Sequence, residues 1–175
     1  MTQHVLIIGG SAGIGLASAK LLLDRDYRVT IAGRDVRRLE AARARLDGLA
    51  AALAMDASDI SALPDAFRRC GPIDHLVLAM GSNKGGGAFA EADLNQVKSG
   101  FEEKVYPHFA YAQAALPHLA KNGSITFLSA VSAQAALRGT AGLAAANADA
   151  VAFLIGNGFV TGQTLICDGG IRLGA

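Results

Sequence analysis

The stretch Ile7-Ile8-Gly9-Gly10-Ser11-Ala12-Gly13-Ile14-Gly15 decides how this chain folds. It follows a short apolar run and opens into a segment with helical periodicity. A glycine-rich turn between a strand and a helix lets the backbone adopt positive φ and come close to a pyrophosphate. The unpaired amides of the helix start add hydrogen bonds and a partial positive charge. The spacing is Gly-x3-Gly-x-Gly, not the commoner Gly-x-Gly-x-x-Gly. Taken alone, the turn fits a nucleotide site and a plain turn equally well. Gly9, Ser11, Gly13, Ile14 and Gly15 are the residues that would line such a site.

Outward from this turn, short β-like runs alternate with helical patterns. Strands are expected at residues 5–8, 28–32, 49–54, 75–79, 124–128 and 163–167. Helices are expected at 15–25, with Ile14, Ala17, Leu21 and Leu22 inward, and at 36–46, with Asp35 as N-cap. Further helices are expected at 58–69, with Pro64 in or near its first turn, at 94–119, kinked by Pro107 with Pro117 near its end, and at 140–155. Residues 82–87 read as a flexible glycine loop. Such alternation needs parallel pairing and right-handed crossovers. The fold expected is an α/β, Rossmann-type, doubly wound parallel sheet in three α/β/α layers. About six strands in the order 3-2-1-4-5-6 are expected, with the ligand beyond their carboxyl ends. No repeat or linker is visible, so residues 1–175 read as one dinucleotide-binding domain.

Bulk properties narrow the class. The chain has 175 residues, 51% of them hydrophobic and 18% charged, which suits a buried core. The formal charge is +1, and no basic stripe invites nucleic acid. Arg34, Arg37, Arg38, Arg43 and Arg45 are interspersed with Asp35, Glu40 and Asp47, as on a solvated helix face. Cys70 and Cys167 show neither metal nor redox spacing. His4, His75, His108 and His118 show no ligand spacing either, so no metal site is expected. The run before the turn is too short for a signal peptide, and no segment reaches membrane-spanning length. A cytoplasmic protein with no membrane partner is expected.

The residue after the second strand bears on nucleotide choice. A carboxylate here would grip the ribose hydroxyls of NAD. Gly33 takes that place and Arg34 follows. A guanidinium there suits a 2′-phosphate, through bonds worth about 1.5–3 kcal/mol. The reading is therefore NADP(H) over NAD(H), although Arg34 also fits an exposed helix start and Asp35 stands beside it. Asp56 closes the third strand, where an adenine amino group is reachable; it fits a helix N-cap or turn aspartate nearly as well. Ala79 and Gly81, after the fourth strand, would let the backbone approach ribose and phosphates.

Several separated segments together resemble the short-chain dehydrogenases/reductases, over nearly all of the chain. The turn Gly9-x3-Gly13-Ile14-Gly15 matches that family's cofactor motif, and Asp56 its adenine-contacting aspartate. Asp74-His75-Leu76-Val77-Leu78-Ala79-Met80-Gly81 is similar to its Asn-Asn-Ala-Gly region, with both asparagines replaced. Phe159-Val160-Thr161-Gly162-Gln163 and Asp168-Gly169-Gly170 are similar to its C-terminal signature. The resemblance implies a nicotinamide cofactor, a carbonyl or alcohol substrate, and pairing of copies into a dimer or tetramer.

The departures are as informative. The family's proton-donating tyrosine aligns with Leu143, its lysine with Asn147, its serine with Ala130 and its helix asparagine with Lys104. Losing a positioned general acid costs about 10²–10⁴-fold in rate. One strand–helix unit and the segment that covers substrate also look excised ahead of the C-terminal signature. Lysine and asparagine are exchanged between two helices, so Lys104 is a candidate for the missing ammonium. Ser129 and Ser132 are the neighbouring hydroxyls. Tyr106 is expected to point away from Lys104, and Tyr111 to share its face two turns on. Lys104 also fits an exposed helix lysine, and Lys84 a loop lysine. Two functions follow as expectations: an NADP(H)-dependent oxidoreductase, or a non-catalytic NADP(H)-binding pseudoenzyme acting as sensor or subunit.

Overall fold

The computed structural model describes residues 2–81 and 93–128. Strands β1 (His4–Ile8), β2 (Arg28–Gly33), β3 (Ala51–Ala54), β4 (Ile73–Leu78) and β5 (Leu119–Phe127) form one sheet. Every pairing is parallel and the order is β3-β2-β1-β4-β5. This is the Rossmann-type order expected from the sequence for its first five strands. The expected helix at 140–155 and strand at 163–167 lie outside the described residues.

All five residues of β1 are buried, because a central parallel strand is covered on both faces. Val5 and Ile7 face helices α1 (Gly13–Leu23) and α2 (Val36–Arg45), with Val29, Ile31 and Val77 beside them. Leu6 and Ile8 face α3 (Leu63–Cys70) and α5 (Tyr106–Ala115), with Phe67, Leu76 and Leu78. Period-two alternation of apolar side chains therefore builds two cores and three layers.

Two buried histidines tie the amino ends of the strands. His4 Nδ1 donates to the Pro72 carbonyl (2.9 Å), which leaves Nε2 to accept from the Thr30 hydroxyl (2.8 Å). His75 Nδ1 and the Ser124 hydroxyl share a bond of 2.9 Å across β4 and β5.

Several boundaries differ from the sequence reading. Helix α1 begins at Gly13 and buries Gly15, Leu16, Ser18, Ala19 and Leu22; Ala17 is exposed and Ile14 half-buried. Gly15 packs on the Gly9 carbonyl, and that contact sets the helix's rotation. Strand β3 starts at Ala51, not 49, because Leu49 still belongs to the turn that ends α2, its amide bonding the Leu46 carbonyl. A short 3₁₀ turn at Ile60–Ala62 precedes α3, which holds Pro64 in its first turn.

The expected helix at 94–119 is four pieces: α4 (Leu94–Gly100), a π turn (Phe101–Val105), α5 and a 3₁₀ turn (Leu116–His118). Pro107 has no amide to offer the Glu103 carbonyl, and its ring crowds that carbonyl, so the helix widens just before it. Strand β5 begins at Leu119, five residues earlier than expected. A step from Ile73 to His75 on β4 is matched by a step from Leu119 to Ser124 on β5, a bulge that disguises the strand's start.

Candidate functional site

Strand order reverses between β1 and β4, and the glycine turn lies at that crevice. Gly9 has φ +85°, and its amide donates to the Ala32 carbonyl at 2.8 Å. A Cβ on Gly9 would stand 2.9 Å from the Ala79 carbonyl carbon. The carboxyl ends of β1 and β4 thus touch through bare backbone, and the Ala79 amide donates to the Ile8 carbonyl at 2.8 Å. A Cβ on Gly10 would meet the Ile31 side chain at 2.7 Å.

Gly13 behaves differently. Its φ is +52°, yet a Cβ built there meets no heavy atom within 4 Å among the described residues. Among the described residues the space above Gly13 is therefore open, while Gly9, Gly10 and Gly15 close the turn beneath it. The N-cap of α1 is Ala12, which offers no side-chain cap, and the first turn holds no acidic residue. The earliest amides of α1 are left to an outside anion. Ser11 is half-buried and Gly13 exposed at this mouth. The residues present fit a dinucleotide's diphosphate: Gly13, Ile14 and Gly15 would hold it with their amides, beside Ser11.

At the neighbouring strand ends the Met55 amide donates to the Gly33 carbonyl (3.0 Å) and carries β2–β3 pairing one residue further. Arg34 follows Gly33 and is exposed. The carboxylate of Asp35 is committed elsewhere, since Oδ1 accepts from the Arg38 amide at 3.1 Å as the N-cap of α2. Asp56 Oδ1 accepts from the Ser58 amide at 2.9 Å. Asp56 is thus a turn aspartate, one of the two sequence readings, and its second oxygen takes no hydrogen bond among the described residues. Arg37, Arg38, Arg43 and Arg45 lie on an exposed face, where Arg43 pairs with Glu40 at 3.5 Å.

Lys104 sits half-buried in the π turn. His108, one turn on, donates from Nδ1 to the Lys104 carbonyl. Its ring stacks on Phe127 at the end of β5, with centroids 6.1 Å apart and planes 25° from parallel. His108 Nε2 is buried with no partner among the described residues. Tyr106 is exposed, as its helical position implied. Tyr111 is fully inside, and its hydroxyl donates to the Met55 carbonyl at 3.1 Å. Sequence spacing placed Tyr111 toward Lys104; the structure turns it to the end of β3. No local signal in the sequence announces that contact, which joins residues 56 positions apart. Burial pushes its phenol up to about 12. Burial also lowers the pKa of His4 and of His75, and raises that of Cys70, which is a free, half-buried thiol.

Ser129, Ser132, Ala130, Leu143, Asn147, Lys84 and Cys167 lie outside the described residues. Among the described residues no group of three or more His, Cys, Asp or Glu is placed to hold a metal ion. None of the described helices is long and apolar enough to cross a membrane.

The short chain dehydrogenase profile matches residues 3–156. The chain belongs to the short chain dehydrogenase family. Among curated relatives, Carbonyl reductase family member 4 of Xenopus tropicalis is 39% identical over 85 residues, 46% of this chain and 36% of the relative. The 3-dehydrosphinganine reductase TSC10A of Arabidopsis thaliana is 32% identical over 145 residues, 77% of this chain and 43% of the relative. The chain spans less than half the length of these relatives. A solved small-chain dehydrogenase is similar in fold, with TM-score 0.75 at 23% identity, over 98% of this chain and 99% of that one. In this short chain dehydrogenase the open glycine turn, Arg34 and Asp56 lie along the carboxyl edge of the sheet, where family membership implies a nicotinamide dinucleotide.

Proposed function

We propose that this protein is an NADP(H)-dependent oxidoreductase acting on a small carbonyl or alcohol. The observation that carries the reading is the cradle at Gly13, open above and closed beneath by Gly9, Gly10 and Gly15. Arg34 supports the 2′-phosphate reading: it follows the end of β2, and the adjacent Asp35 turns one carboxylate oxygen to the cap of α2. A guanidinium left beside an adenosine ribose favours a phosphate over a hydroxyl. The names of the two relatives, a carbonyl reductase and a 3-dehydrosphinganine reductase, support reduction of a carbonyl.

When bound, the dinucleotide supplies or accepts the hydride. The chain's own part is to fix the diphosphate with the α1 amides and the adenine with Asp56. Lys104 is our candidate for holding the nicotinamide ribose or polarising the carbonyl oxygen. Ser129 and Ser132 remain candidates for the proton.

We also infer a homo-oligomer. Leu94, Phe101, Val105, Phe109 and Leu116 are exposed at intervals of four or seven along α4, the π turn, α5 and the 3₁₀ turn. An apolar row of this length suits a second copy.

Fluorescence titration with NADPH and NADH tests the cofactor, and NADPH oxidation against aldehydes, ketones and enoyl compounds tests the chemistry. Tight NADPH binding with turnover is expected. Binding without turnover on any of them would establish the non-catalytic alternative, and no binding would overturn both.

A further inference from the structure

We propose that Tyr111 is a positioning residue for adenine recognition, holding the backbone just ahead of Asp56 so that the free carboxylate oxygen faces the adenine amino group. The inference rests on the dinucleotide reading above and deepens it at one end of the site.

Tyr111 comes from α5, whose remaining contacts are with the sheet and with α3. Its ring is buried, and its hydroxyl donates to the Met55 carbonyl at 3.1 Å. The Met55 carbonyl belongs to the peptide group that leads into Asp56, so the phenol fastens the backbone immediately ahead of that carboxylate. Met55 is fastened a second time, because its amide donates to Gly33 at 3.0 Å.

The side chain of Asp56 is restrained as well. Oδ1 is occupied by the Ser58 amide at 2.9 Å, which fixes the carboxylate plane. The other oxygen is left, at the exposed carboxyl edge of the sheet. An ionised carboxylate only accepts hydrogen bonds, and an exocyclic amino group only donates them. Burial keeps the Tyr111 phenol neutral, as a donor, throughout the working range. Its hydroxyl is engaged beneath Asp56, so it is not an acid for the reacting carbonyl.

The test compares wild type with Tyr111→Phe in the full chain, using NADPH, adenosine 2′,5′-bisphosphate and reduced nicotinamide mononucleotide as probes. The variant should bind the two adenine nucleotides about fivefold to tenfold more weakly, the loss expected of one hydrogen bond. The nicotinamide mononucleotide, which lacks adenine, should bind unchanged. In an Asp56→Ala background, adding Tyr111→Phe should cost nothing further, because the residue acts through Asp56. Exchange of the Asp56 amide, which shares a peptide group with the Met55 carbonyl, should accelerate in Tyr111→Phe without a matching change in the core of β1 when followed by NMR. Equal losses for all three probes, an undiminished effect in the Asp56→Ala background, or no loss at all would each overturn the inference. If wild type binds neither NADPH nor the bisphosphate, the dinucleotide reading falls with it; a wild type that binds and a variant without selectivity overturn the Tyr111 role alone.

Discussion

Gly15 lies with its α-carbon against the carbonyl oxygen of Gly9, so close that a methyl group on Gly15 would overlap it. The obstacle is backbone on both sides and has no flexible end that could move away. Alanine at 15 would push α1 off β1, at a cost of about 1–3 kcal/mol. Alanine at 13 meets open space but adopts a left-handed φ, at about 1–2 kcal/mol. Both should abolish NADPH binding, Gly15→Ala by displacing the helix and Gly13→Ala by filling the cradle. Urea midpoints and fluorescence titration check the pair. Gly13→Ala with full affinity would place the diphosphate elsewhere.

Arg34→Ala should separate the two coenzymes. NADPH affinity should fall about tenfold or more, the share of a charge-assisted bond, while NADH affinity stays near its starting value. Equal loss for both would mean that Arg34 reads something other than the 2′-phosphate. The comparison needs constant salt, because exposed charges are screened.

Lys104→Ala addresses the exchange of lysine and asparagine between helices. If the ammonium serves the nicotinamide end, NADPH binding or turnover should drop about tenfold. Affinity for adenosine 2′,5′-bisphosphate should be untouched. Unchanged NADPH affinity and unchanged turnover would return Lys104 to the role of a helix-surface lysine.

Stability should depend on pH through His4 and His75. Both are buried and have pKa values below the ordinary 6.5. The unfolded chain therefore binds more protons than the folded one once pH drops below about 6.5. Their contribution is complete above that point and is lost as pH falls toward their folded pKa values. The slope approaches about 1.4 kcal/mol per pH unit for each histidine. Urea midpoints between pH 8 and pH 5 should decline only on the acid side, and His75→Asn should flatten the decline. A midpoint independent of pH would contradict the burial argument.

Phe109→Glu should dissociate the oligomer. Phe109 is 71% exposed in the middle of the apolar row, so the charge meets water in a monomer and apolar side chains in a dimer. Light scattering at micromolar concentration should change from a multiple of 17.9 kDa to that mass. A wild type already at the single-chain mass would refute pairing through this face.

How far the sequence carries can be judged from particular elements. Gly9 to Gly15 announced strand, turn and helix together, because only glycine satisfies both the positive φ and the close approach. The order of the first five strands followed from alternating elements and crossover rules. The Asp35 cap was legible because capping is local. What escaped was tertiary. The inward face of α1 depends on the contact with Gly9, which periodicity does not register. Pro107 signalled a disturbance, but not a π turn placed ahead of it. The start of β5 was hidden by a bulge, since looping residues lack alternation. The bond from Tyr111 to the Met55 carbonyl was not legible either, since it joins residues 56 positions apart.

In the proposed reading, the groups that hold the adenosine and diphosphate come from the first 81 residues, with Ala79 and Gly81 the last of them, and a single thread from farther along, Tyr111, fastens the backbone at Asp56. Everything needed to grasp the carrier is thus written before the 112th codon. The remaining stretch is free to be shortened, lengthened or rewritten by evolution with the handle left whole, and a lineage can change its chemistry, or abandon it, while still holding the same coin.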